Sequence, residues 1–203
     1  MSRHSDRTTP ILAAVVLAGG ASRRFGSDKL EAQVDGRPLL QLALDDLPDS
    51  ARLAVVGPER PVPRSAVFLR EDPPGGGPAA GLVVGLSWAL GLGAEVILTL
   101  PGDAPRGGRA AAELLTVLLD SGASAVVGVD DSGHDSVLQL ALRRMAAQAL
   151  VAAAGPEAAD GMSVRRLVAA LDPPPRRYAL ATDLIHDVDT ASELAEFRKM
   201  NRS

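Results

Sequence analysis

The sequence predicts an α/β fold: a three-layer α/β/α sandwich built on a mostly parallel, mixed sheet. Three observations lead there. Short, continuous apolar runs recur along the 203 residues, each about as long as a strand buried on both faces. Stretches of helical composition separate them, so strand, loop and helix alternate roughly every 20 to 40 residues. Hydrophobic residues make up 46% of the chain but aromatic ones only 2%. The core must therefore be built from Ala, Val and Leu, which suit closely packed helix–sheet layers.

Residues 11–17 form the first strand, stopped by Gly19 and Gly20. Residues 38–47 offer a short helix with Leu39, Leu40, Leu44 and Leu47 on one face. Residues 52–56 are a second strand ending at Gly57-Pro58, and 66–69 a third. The cluster DPPGGGPAAG delays regular structure until about Ala79, and 82–92 is helical. Residues 95–100 are a buried strand ended by Pro101-Gly102-Asp103, followed by a helix over 110–119 and a strand over 123–129. The second half is less regular. It offers a strand at 137–142, helices at 143–154 and 162–171, a proline spacer at 173–175, a late strand at 177–181 and a closing helix at 191–200. With no internal repeat, residues 11–203 are expected to be a single domain behind a polar tail, 1–10.

Composition narrows the function. There are no cysteines, which removes thiolate metal sites and a cysteine nucleophile. The formal charge is -4 with acids and bases interspersed, so a general nucleic-acid binder, which needs a basic patch, is not expected. The apolar run at 11–18 is too short to span a bilayer and lacks the form of a signal peptide, so a cytoplasmic protein is expected. His4, His134 and His186 have no zinc-like spacing, and no nucleophile elbow occurs.

Chemistry concentrates in two segments after buried strands and one near the end. In LAGGASRRFGSDK, Leu17 to Lys29, glycines let backbone N–H groups approach an anion, and Arg23, Arg24 and Lys29 can neutralise a triphosphate. The segment is neither a Walker A loop nor a Rossmann fingerprint, which disfavours a dinucleotide-dependent oxidoreductase. In ILTLPGDAP, Asp103 follows the carboxyl end of a buried strand, where open α/β sheets bind ligands. Alone it would cap the next helix. Beside a phosphate loop it becomes a candidate Mg²⁺ ligand. In HDVDTASEL, Asp189 or Thr190 can cap a helix, with Glu193 closing a capping box.

These segments resemble, in order, the signatures of the MobA-like nucleotidyltransferases, a branch of the nucleotide-diphospho-sugar transferase-like group. The resemblance covers residues 11 to 200. It implies that Leu17, Ala18, Gly19 and Gly20 cradle the nucleotide and that Arg24 and Lys29 meet its phosphates. ILTLPGDAP looks like the family's LPxDxP metal motif, and HDVDTASEL like its D-x-D-T-P-E-D-L element. Together they imply Mg²⁺ on Asp103 and Asp189, with Asp187 the weaker candidate. REDPPGGGPAAGL resembles the acidic-then-GPLAG loop and implies a nucleotide contact at Asp72. GMSVRRL is similar to a family helix start, where Arg165 or Arg166 would meet an anionic acceptor.

The implied catalytic set is thus Arg24, Lys29 and Asp103. The implied reaction moves GMP from GTP to a phosphorylated acceptor, molybdopterin in the branch most similar, and releases pyrophosphate. The partners are GTP or CTP and that small-molecule acceptor, on a monomer or weak homo-oligomer. Alternatives are cytidylyl transfer to the same cofactor, transfer to a sugar- or alcohol-phosphate, and a non-enzymatic nucleotide-binding regulator. Two departures stand out: Ala191-Ser192 replaces Pro-Glu, and His134-Asp135-Ser136-Val137 replaces a Gln-Pro-Leu-like turn before an acceptor-facing strand.

Overall fold

Residues Leu12–Leu17 form strand β1, in which Ala13, Ala14, Val15 and Val16 are fully buried, as a strand covered on both faces must be. In the computed structural model, which describes residues 10–20, 25, 26, 28–72, 74–154 and 161–201, β1 lies inside a seven-stranded sheet. It pairs in parallel with β4 (Arg52–Val56) on one side and β6 (Val96–Pro101) on the other. β5 (Ala66–Leu69) continues the parallel arrangement beyond β4. Past β6 lie β8 (Asp135–Arg143), β7 (Ala125–Val129) and β9 (Arg176–Ala179), giving the order β5-β4-β1-β6-β8-β7-β9. β8 runs antiparallel to both neighbours, so the sheet is mixed as expected.

Helices cover both faces. α2 (Gly77–Gly91), α4 (Arg144–Ala154) and α5 (Val164–Ala169) enclose one apolar core with Val15, Ile97, Leu140 and Leu142. On the other face, α1 (Leu39–Ala43), α3 (Gly107–Ser121) and α6 (Thr182–Ile185) pack over Val16, Leu98, Leu100 and Ala141. Adjacent strand residues thus feed opposite cores, as the two-residue pleat requires. At Gly85 a Cβ would come within 2.1 Å of a Val15 methyl, so the close seat of α2 on β1 depends on that glycine.

Several elements differ in extent from the sequence-based expectation. α2 starts at Gly77 rather than near Ala79, because Pro78 falls in the first turn, where a missing N–H costs nothing. The helix expected over 38–47 stops at Ala43. Leu44 and Asp45 donate to carbonyls three residues back, and Asp46 turns left-handed (φ 62°), so Leu44 and Leu47 are buried from a turn instead. Pro38 belongs to β3 (Arg37–Pro38), which pairs with β2 (Gln33–Val34) in a small hairpin that was not anticipated. α6 was also not anticipated, since four residues carry no readable periodicity. Among the described residues no helix is long and apolar enough to cross a membrane.

Gln139 lies on β8 beside a register shift against β7, and its side chain is fully buried. Neither amide atom has a hydrogen-bond partner among the described residues. Replacing a buried, unpaired amide by an apolar chain of similar length removes a desolvation penalty. Gln139→Met should therefore stabilise the protein by about 1 kcal/mol, raising its melting midpoint by about 2–4 °C. A lower midpoint in thermal denaturation would mean that the amide is satisfied after all.

Candidate active site

The chain leaves β1 toward β4 and β5 on one side, then returns to β6 on the other, which makes the carboxyl ends of β1 and β6 a topological switch point. Their terminal residues Leu17 and Pro101 are register partners, and Gly102 N–H donates to Leu17 C=O at 2.8 Å. Ala18 N–H donates to Val56 C=O, also at 2.8 Å. Gly57 permits this approach: a Cβ there would stand 2.4 Å from the Ala18 carbonyl oxygen, at a φ of +151°. The loops after β1, β4 and β6 are thereby held in one crevice.

Three segments deliver charge into that crevice. Asp28 accepts from Leu30 N–H at 3.1 Å and caps a single 3₁₀ turn, Lys29–Glu31, which begins with Lys29. The Lys29 ammonium forms an ion pair with Asp103, from the loop after β6, and another with Asp189 at 2.7 Å. Asp189 arrives from the far end of the sequence, on the segment leading into α7 (Ala191–Met200). Val188 N–H donates to the backbone carbonyl of Asp103 at 2.9 Å, so the two acidic segments are stitched main chain to main chain. A small third core of Val34, Leu39, Val188, Leu194 and Phe197 anchors α7 against the hairpin and α1.

The cap of α7 explains why Asp189 is available. Thr190 Oγ1 accepts from Glu193 N–H, while the Glu193 carboxylate accepts from Thr190 N–H at 2.8 Å and Asp189 N–H at 2.7 Å. Those bonds hold the Glu193 pKa below its ordinary value, the one from Asp189 N–H most of all. Thr190 and Glu193 complete the capping box, so the Asp189 carboxylate reaches Lys29 instead of serving the helix. The replacement of Pro-Glu by Ala191-Ser192 leaves this geometry in place.

Asp187 completes the charge cluster. Its carboxyl is pushed up to about 7 by desolvation first and then by the charges of Asp103 and Asp189, with Lys29 opposing. Burial pulls the Lys29 pKa down, but hydrogen bonds to and the charges of Asp103 and Asp189 outweigh it, leaving the ammonium more basic than usual. Among the described residues no three His, Cys, Asp or Glu side chains form a cage able to hold a metal alone. Asp103 and Asp189 nevertheless both reach one point, the Lys29 Nζ. Two convergent hard oxygen donors fit Mg²⁺ of the kind that takes its other ligands from phosphates and water.

The structure brings Leu17, Ala18, Lys29, Asp103 and Asp189 together at the crevice, with Gly19 and Gly20 exposed beside it. Asp72 is exposed on the turn leading to α2, and among the described residues no hydrogen bond or ion pair links it to the Lys29 cluster. Arg23 and Arg24 lie outside the described residues. Arg165 donates toward the Asp135 carbonyl at 3.5 Å, at the start of β8. Beside Asp187 opens a polar cleft of about 250 Å³ lined by His134, Ser136, Thr182 and His186, which places the divergent turn before β8 next to the cluster.

One participant escaped the sequence reading. Arg60, from the loop after β4, is buried and bonds both Ala18 and Asp28. Its position just past the carboxyl end of a strand, after Gly57-Pro58, was the available signal.

Comparison with known proteins bears on this geometry. The model of the MobA-like NTP transferase domain matches residues 14–189, from β1 through Asp189. The chain belongs to that family. Proteins named molybdenum cofactor guanylyltransferase are similar to this MobA-like chain. One from Acidiphilium cryptum is 36% identical over 107 residues, 50% of this chain and 55% of that protein. One from Cereibacter sphaeroides is 36% identical over 99 residues, 46% and 51%. The matched stretch thus spans about half the length of these curated relatives. The fold matches the molybdopterin-guanine dinucleotide biosynthesis protein A of Archaeoglobus fulgidus (TM-score 0.67, 17% identity, covering 94% of this chain and 98% of that one). It also matches the 2-C-methyl-D-erythritol 4-phosphate cytidylyltransferase of Thermus thermophilus (TM-score 0.68, 20% identity, 95% and 100%). The nucleotidyltransferase fold expected from the sequence is therefore the one found.

A raised carboxyl pKa has a definite consequence for stability. The folded chain binds the Asp187 proton more tightly than the unfolded chain, whose carboxyl has the ordinary value of 3.8. Between about pH 4 and 7 the folded state therefore holds more protons, and stability falls as pH rises through that window. Asp187→Asn should melt higher than the wild type at pH 8 in EDTA, with the gap closing toward pH 4. A gap that stays constant with pH in thermal melts would contradict the assignment.

Proposed function

We propose that this MobA-like protein is a Mg²⁺-dependent guanylyltransferase that moves GMP from GTP to the phosphate of molybdopterin. The observation that carries this reading is the convergence of Lys29, Asp103 and Asp189 at the crevice between β1 and β6. The names of its relatives support GTP and the molybdenum cofactor as the nucleotide and acceptor.

In the proposed reaction an acceptor phosphate oxygen attacks the α-phosphorus of GTP, the bond to the β-phosphate breaks, and pyrophosphate leaves. The attacking phosphate is already ionised at neutral pH, so no side chain has to act as a base. The chain's contribution is alignment and charge. Asp103 and Asp189 would hold Mg²⁺, which supplies neutralisation of the phosphate oxygens when bound. Gly19 and Gly20 offer backbone N–H groups without a Cβ in the way, and Arg24 with Lys29 offsets charge on the departing phosphates. The acceptor enters from the polar cleft beside Asp187, where His134, Ser136 and His186 provide hydrogen-bonding groups.

The test is binding of GTP, CTP, UTP and ATP, with Mg²⁺ and then with EDTA, followed by pyrophosphate release with acceptor. Magnesium-dependent preference for GTP is expected. Preference for CTP would move the assignment to cytidylyl transfer, and failure to bind any of the four would overturn it. Asp103→Asn should cut pyrophosphate release at least ~100-fold. It should leave the melting midpoint nearly unchanged, because the bond from Val188 uses the Asp103 backbone.

A further inference from the structure

We infer that Arg60 is a positioning residue for nucleotide binding, clamping the two ends of the segment between Ala18 and Asp28. The inference rests on the nucleotidyltransferase reading. Arg60 lies on the loop after β4, and its side chain is only 6% exposed. Such a buried guanidinium is costly to desolvate and persists only where its donors are satisfied.

Here the donors are spent on three acceptors, two of which matter to the segment. Nη1 donates to the Ala18 carbonyl at 3.0 Å and to the Pro58 carbonyl at 3.3 Å. Nε donates to Asp28 Oδ2 at 2.8 Å, and Nη2 lies 2.7 Å from the same oxygen. Ala18 closes β1, where the proposed nucleotide segment begins. Asp28 directly precedes Lys29, where it ends.

Each anchor is itself tied onward. The Ala18 peptide is held from both sides, its N–H by Val56 C=O and its carbonyl by Arg60. The other Asp28 oxygen, Oδ1, accepts from Leu30 N–H and caps the turn that starts with Lys29. A chain of contacts thus runs from Arg60 through Asp28 to Leu30 N–H in the turn that begins with Lys29, and from the Lys29 ammonium to Asp103 and Asp189. Arg60 sets the separation of Ala18 and Lys29 without being placed on the reacting atoms. Lysine cannot reproduce this, because a single ammonium lacks the fork that spans a carboxylate and a carbonyl together.

The measurement is calorimetric titration of GTP into wild type, Arg60→Gln, Asp28→Asn and the double variant with Mg²⁺, with CTP substituted if wild type prefers it. Thermal melts of each run alongside. Both single variants should weaken binding tenfold or more, and the double variant should be no weaker than Arg60→Gln, because the two residues act as one unit. Arg60→Lys should fall between wild type and Arg60→Gln. A merely structural arginine would lower the melting midpoint while the folded protein kept its affinity within twofold, and that result overturns the inference. Should Arg60→Gln not fold, Asp28→Asn decides, since it keeps the Ala18 and Pro58 bonds; unchanged affinity there is equally fatal. Failure of the wild type to bind any of the four nucleotides overturns the nucleotidyltransferase reading itself, and the clamp with it.

Discussion

Asp103, Asp187 and Asp189 repel one another, and much of the crevice exists to hold them in spite of that. Among the described residues, the Lys29 ammonium stands between two of the three carboxylates. The Asp187 carboxyl is pushed up to about 7, by desolvation first and by the charges of Asp103 and Asp189 second. Carboxylate oxygens that converge at the end of a sheet are hard donors of the kind that suits a divalent cation arriving with an anionic ligand.

Holding the cluster calls for rigidity that comes from elsewhere. The Val188–Asp103 main-chain bond holds the backbones of the two acidic segments together. Behind it, Val188 is buried with Leu194 and Phe197 of α7, and the Arg106 guanidinium lies 5.8 Å from the Phe197 ring centre. Arg106 also pairs with Asp183 at the start of α6. Apolar burial under α7 thus stabilises an electrostatically unfavourable arrangement, which is common where strain serves a site.

Much of this was legible in the sequence where local chemistry and strand ends coincide. Leu17 to Gly20 and Asp103 follow buried apolar runs, and a carboxyl strand end is where an α/β sheet binds. The capping box of Thr190 and Glu193 was also visible, because its pattern spans one helical turn. Arg60 was not, since an arginine in a Gly-Pro-Glu-Arg loop reads as solvated. Its burial depends on Ala18 and Asp28, 42 and 32 residues away. Asp187 ranks below Asp189 in the resemblance because Asp189 holds the place just before Thr190; the desolvation of Asp187 and the nearby charge of Asp103 come from distant parts of the chain, which no local pattern reveals. The antiparallel direction of β8 could have been read more firmly: residues 130–134 are too few for a parallel crossover, which takes a dozen or more.

That short turn also divides the molecule's labour. The strands β5, β4 and β1 are parallel, and the loops after β4 and β1 are locked together by Gly57 and Arg60. A change in that half disturbs the segment that bears the phosphate-binding pattern. On the other side of β6, the β7–β8 hairpin projects His134 and Ser136 into the cleft, and its outer strand pairing already tolerates a register shift between Val127 and Gly128. Hairpin turns accept substitution far more readily than interlocked strand ends. In the proposed function such a chain keeps its transfer chemistry while its acceptor side diverges, and the turn at that cleft is where His134-Asp135-Ser136 departs from the family pattern. In the proposed function the same division puts the nucleotide on the interlocked half of the sheet and the acceptor at the cleft beside Asp187.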